Sequence, residues 1–137
     1  CSNICVPAQA RLALPLAEGT AADAYTVARL EGFRARVPQP ARLGGEGPLA
    51  VRSATVKRSG KSAALLVDVT APAQAGDVAL FAAAPDGSVG VPQPATRGRW
   101  RVPLIGEATR HKVELVLAAG GEAIAVPVTL DAGTLTP

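Results

Sequence analysis

Methionine is absent from this 137-residue chain, and aromatic side chains are scarce: one Trp, one Tyr and two Phe, 3% of the residues. A nucleic-acid surface needs stacking aromatics interleaved with a basic stripe. Here the net charge is only +3 and the basic residues are scattered, so the chain is read as having no nucleic-acid partner. Its densest basic run, Arg97-Gly98-Arg99-Trp100-Arg101, reads instead as a strand with alternating sides. Histidine occurs once, at His111, and cysteine twice, at Cys1 and Cys5. A closed zinc site needs four ligands, and His111 is far from both cysteines in sequence, so no metal is assigned. No apolar run approaches the ~18–20 residues of a membrane helix. The charged start, apolar run and cleavage site of a signal peptide are also missing. The chain opens directly on Cys1, as a processed protein or a fragment would.

What is present points to a β fold. Hydrophobic residues make up 48% of the chain and charged ones 18%, a balance suited to a packed core rather than bulk disorder. Glycine (14) and proline (12) punctuate short apolar runs, which favours many turns over a helical bundle. Period-two segments are expected at 49–57 (with a phase break near Ser53), 63–70, 77–84, 99–105, 112–118 and 122–130. The inward sets include Leu65, Val67 and Val69; Trp100, Val102 and Leu104; Val113, Leu115 and Leu117; and Ile124, Val126, Val128 and Leu130. Pro85-Asp86-Gly87 and Gly120-Gly121 supply turns between them. The expected fold is therefore mainly β: an immunoglobulin-like antiparallel β-sandwich over residues 49–137. The Cys…Trp…Cys spacing of antibody domains is missing.

Residues 9–16 alternate as well, with Leu12, Leu14 and Leu16 on one side, and read as a half-buried edge strand. Thr20-Ala21-Ala22-Asp23 resembles a capping box, from which a helix is expected to run to about Arg36. Ala24, Val27, Leu30 and Phe33 would form its apolar stripe, with Tyr25 and Phe33 as packing residues. Pro38 and Pro40 end it, and 41–48 reads as a linker. A boundary is therefore expected between residues 1–40, with their strand and one short helix, and the sandwich.

Cys1 and Cys5 are the residues that carry chemistry. A loop this small removes little unfolded-state entropy when closed, so a bond between them suits exchange better than stapling. Exchange needs one thiolate to attack a disulfide and a second thiol to resolve the mixed disulfide, and a C-x-x-x-C pair supplies both. Two other uses stay open at this point. Cys1 followed by Ser2-Asn3 matches a processed, lipid-anchored β-sandwich interaction module, and two thiolates suit a soft ion such as Cu(I). Asp68 and Glu114 read as single carboxylates on solvated strand faces, and His111 as a surface residue before a strand. Gly44-Gly45-Glu46-Gly47 lacks the Lys-Ser/Thr of a phosphate loop. Ser2 has no His near it in sequence.

The run Cys1-Ser2-Asn3-Ile4-Cys5-Val6-Pro7, the alternating Ala10–Leu16 stretch, and a helix closing on Arg34-Ala35-Arg36-Val37-Pro38 resemble a known family. It is the periplasmic N-terminal region of the transmembrane thiol:disulfide interchange reductases, of the suppressor-of-copper-sensitivity B type, related to the thiol:disulfide interchange protein D family. The resemblance is strongest over residues 1–40. It implies that residues 1–40 are the tail of another β domain, the C-terminal part of a redox-active immunoglobulin-like domain with one short helix, and that Cys1 and Cys5 are a catalytic redox pair in the periplasm that needs no bound cofactor. Electrons would arrive from a transmembrane electron-donor domain of the same protein and leave to thioredoxin-like periplasmic proteins. There would be no small-molecule substrate.

Overall fold

In the computed structural model, which describes residues 9–15, 23–106 and 110–131, helix α1 (Ala24–Arg34) precedes eight strands. These are β1 (Gln39–Pro40), β2 (Ala50–Ser59), β3 (Ser62–Thr70), β4 (Val78–Ala83), β5 (Gln93–Thr96), β6 (Arg99–Leu104), β7 (Arg110–Ala119) and β8 (Glu122–Asp131). A front sheet has the order β2-β3-β6-β5 and a back sheet the order β1-β8-β7-β4. Every pairing is antiparallel except that of the short β1 with β8. The protein is a mainly β sandwich with one short helix. Leaving β1 aside, its strands run four against three in the order of a constant-type immunoglobulin sandwich. That likeness is one of connectivity alone, since Trp100 sits on β6 and no described strand carries a cysteine.

Alternation explains the core. Leu65, Val67 and Val102 from the front sheet meet Val113, Leu115, Leu117 and Val126 from the back sheet, all essentially sealed from solvent. Trp100 and Leu104 pack at the margin of this cluster, half-buried. The phase break expected near Ser53 is a register shift between Val51 and Ser53, which lets Val51 and Val56 both face inward. Between β7 and β8, Ala119 faces Glu122 across Gly120-Gly121, whose φ values of 60° and 84° suit the tight turn of a two-residue hairpin.

Four expectations change. Residues 9–15 form no strand and are exposed, Leu12 by 95% and Leu14 by 82%. Their alternation is real, but a strand exists only where another strand takes up its N–H and C=O groups. The remaining residue of that expected strand, Leu16, lies outside the described residues. Helix α1 starts at Ala24, capped by Asp23, whose side chain accepts from the Thr26 amide; Thr20 lies outside the described residues. Every residue of α1 is exposed, so Tyr25 and Phe33 are not packed. β5 was not anticipated, because Gln-Pro-Ala-Thr shows no alternation; as an edge strand it tolerates Pro94.

The stretch from Gln39 onward is stitched to the sandwich. Gln39 and Pro40 face Ile124 and Ala125, the Ala41 amide donates to the Ala125 carbonyl, and the Gly44 amide donates to that of Val51. Arg52 donates to Thr70 Oγ1 and to the carbonyls of Gly45 and Gly47, at 2.9, 3.1 and 3.4 Å.

Candidate functional site

The two sequence-predicted site residues, Cys1 and Cys5, lie outside the described residues. The described chain nearest to them, 9–15, is exposed and has no regular structure. Beyond it, Asp23 accepts from the Thr26 amide and hydroxyl, both at 2.9 Å. The amide bond first, then the hydroxyl, holds the Asp23 carboxyl below the usual carboxylate range. The Arg29 guanidinium stands 5.7 Å from the centre of the Tyr25 ring, and Arg34 pairs with Glu31 at 3.2 Å. This arm is thus a solvent-facing strap of polar contacts with an uncovered apolar stripe.

On the sandwich, adjacent strands bring together a cluster that spacing in sequence does not reveal. Asp68 on β3 faces Ser53 on β2 and Arg99 on β6. Arg99 donates to Asp68 through Nε at 2.6 Å and Nη2 at 3.1 Å, and Ser53 Oγ donates at 3.0 Å. The Arg99 hydrogen bonds hold the Asp68 carboxyl below its usual range, opposed by burial and helped by Ser53; Asp68 in turn raises Arg99. A carboxylate clamped in a fork by arginine is a poor general base, and Ser53 donates to it with no histidine interposed. The cluster therefore ties three strands together. Asp68 is paired rather than merely solvated, and what the sequence concealed was its partners' register.

A cleft of about 550 Å³ opens at the end of the sandwich between the β3–β4 connection and the β5–β6 hairpin. Val69, Pro72, Val78, Pro94 and Trp100 give it apolar walls, with Arg97 on its lining. It offers shape and contact but no nucleophile–base pair. His111 falls within β7, opposite Leu130, rather than before the strand. Glu114 lies exposed on the same strand. Among the described residues, no three His, Cys, Asp or Glu side chains gather where they could hold a metal ion. No described helix is long and apolar enough to cross a membrane.

The outer surface of the back sheet carries an apolar patch. β4 carries Ala79 and Phe81 outward, β7 carries Val116 and Ala118, and β8 carries Ala123 and Ala125. The signal was available: Val-Ala-Leu-Phe-Ala-Ala and Ala-Ile-Ala-Val-Pro-Val are apolar at consecutive positions, the pattern of strands covered on both faces.

No protein-family model, no curated protein and no solved structure matches the chain.

Proposed function

We propose that the chain is a periplasmic dithiol electron-transfer module of a transmembrane protein-disulfide reductase, with Cys1 and Cys5 as its redox pair. The observation that carries this reading is the spacing of the chain's two cysteines, four apart in the run Cys1-Ser2-Asn3-Ile4-Cys5-Val6-Pro7. Closing so small a loop removes little unfolded-state entropy, so a bond between them suits exchange better than stapling.

In the reducing direction, one cysteine thiolate attacks a disulfide of a thioredoxin-like partner. This forms a mixed disulfide and releases one partner thiolate. The second cysteine, as thiolate, attacks its neighbour's sulfur; the partner's other sulfur leaves, and two electrons have passed. The partner ends as a dithiol and the module as the Cys1–Cys5 disulfide. The transmembrane electron-donor domain of the same protein would then reduce that disulfide. No bound cofactor is required.

Equilibration in thiol redox buffers followed by alkylation tests this. The expected result is one two-electron transition between roughly −300 and −120 mV. Cys5→Ser should abolish exchange with a thioredoxin-like protein. A pair that never forms an intramolecular disulfide, or forms one that no thioredoxin-like protein exchanges, overturns the reading. A second reading, a tethered sandwich that binds proteins, is favoured by the exposed Leu12 and Leu14 in the arm. It predicts that Cys5→Ser leaves binding unchanged.

A further inference from the structure

The outer face of the back sheet carries two apolar rows. Ala79, Ala118 and Ala123 stand in register across β4, β7 and β8, and Phe81, Val116 and Ala125 form the neighbouring row. Phe81 is 59% exposed and the other five are half-buried. Glu114, Lys112 and Thr129 continue the same face beyond them, so the apolar part is the half nearer the Gly120-Gly121 turn, where the strands are apolar on both sides, as covered strands are.

The same chain carries an apolar surface that also lacks a cover. Val27, Leu30 and Phe33 make a stripe along α1, exposed by 44, 53 and 55%. At 11 residues, α1 is shorter than the ~12–15 residues at which an isolated helix becomes even marginally stable, and Gly32 weakens it further. Such a helix needs a surface to pack on. Four residues, Ala35 to Pro38, join it to β1, which borders β8 in the back sheet. Ala35 already lines one cleft with Ala123 and Ile124. The helix is about 16 Å long, and four strands span about 14 Å, so the two surfaces match in size.

We propose that the outer face of the back sheet is a docking surface for a helix, and that its occupant is α1 of the same chain, through its exposed Val27, Leu30 and Phe33. The helix closes about the Ala35–Pro38 hinge and seats Leu30 and Phe33 on the alanine floor beside Phe81 and Val116. A four-residue connection is within the usual range for a helix entering a strand. The tether holds α1 at a millimolar effective concentration, which favours it over a second copy in dilute solution. The closure does not depend on the function proposed for the cysteines.

Amide hydrogen exchange on the full chain at two protein concentrations tests this. Closure predicts protection of the α1 amides on the order of a hundredfold over unstructured rates, independent of concentration. It also predicts that Phe81→Asp, remote from α1 in sequence, removes that protection and leaves the strand amides slow. Ala118→Glu, in the neighbouring row, replaces it if Phe81→Asp accelerates the strands. Exchange of α1 at unstructured rates in the parent chain overturns the proposal. So does protection that grows with protein concentration, which assigns the face to a second copy. Protection unmoved by these outward substitutions overturns it as well.

Discussion

The two sheets share one core and differ on their outer faces. The front sheet shows Ser53, Thr55 and Lys57 on β2, Asp68 on β3 and Arg99 and Arg101 on β6, with Ala64, Leu66 and Pro103 between them, and hydrogen bonds tie Ser53 and Arg99 to Asp68. The back sheet shows alanines, Val116 and Phe81 over the half nearer the Gly120-Gly121 turn, and Lys112, Glu114 and Thr129 over the other half. Burial of the inward residues is equal: Leu65 and Val102 in front, Leu115 and Leu117 behind, all at 0% exposure. Core packing therefore does not distinguish the sheets, and the solvent side does. The front face carries its charges across β2, β3 and β6, whereas the back face gathers its apolar residues into one half.

Substitutions can test where that equivalence ends. The largest effects should be the same in both sheets: Leu65→Ala and Leu115→Ala should each cost about 2–5 kcal/mol in chemical denaturation. A large disparity would mean that the sheets do not share one core. Next comes Gly98, in the β5–β6 turn, where φ is 75° and an added Cβ would stand 3.1 Å from the Val69 carbonyl oxygen. Gly98→Ala should cost about 1–2 kcal/mol by the same measurement.

The front face has a pH signature at Asp68. Because Asp68 is held below its usual range by Arg99, its contribution is present above the unfolded carboxylate value, about 4, and is lost as pH falls through the lower folded value. Asp68 remains more than a third exposed, so Asp68→Asn should lower Tm at pH 7 by no more than about 3 °C. That difference should vanish in the acid limb of a Tm-against-pH series. The smallest effect lies in the arm: Asp23→Ala should reduce the helical circular dichroism of α1 without moving the sandwich transition. In the parent chain the same signal should weaken as pH falls through the depressed Asp23 value.

Much of the sandwich was legible because its signals are local. Alternation at 63–70 and 112–118, the break near Ser53 and the glycine pair at 120–121 each mark their own structure. β5 was not legible, since a four-residue edge strand with a proline owes its conformation to β6 alone. Nor was the Ser53–Asp68–Arg99 cluster, whose members lie 15 and 31 residues apart and meet only through strand register. The cysteine pair was conspicuous in sequence for the opposite reason, that two rare residues stand four apart.

By itself, the sequence determined which residues prefer to face away from water and where the chain can turn, because those preferences reside in single side chains and short runs. Tertiary structure decided which apolar surfaces obtain a partner. The alternating stretch 9–15 finds no neighbouring strand and stays open, while Gln39 and Pro40, unremarkable in sequence, become β1 beside β8. Both outcomes have one physical reason. A strand is completed by hydrogen bonds to residues distant along the chain, and no local pattern contains the groups that will supply them.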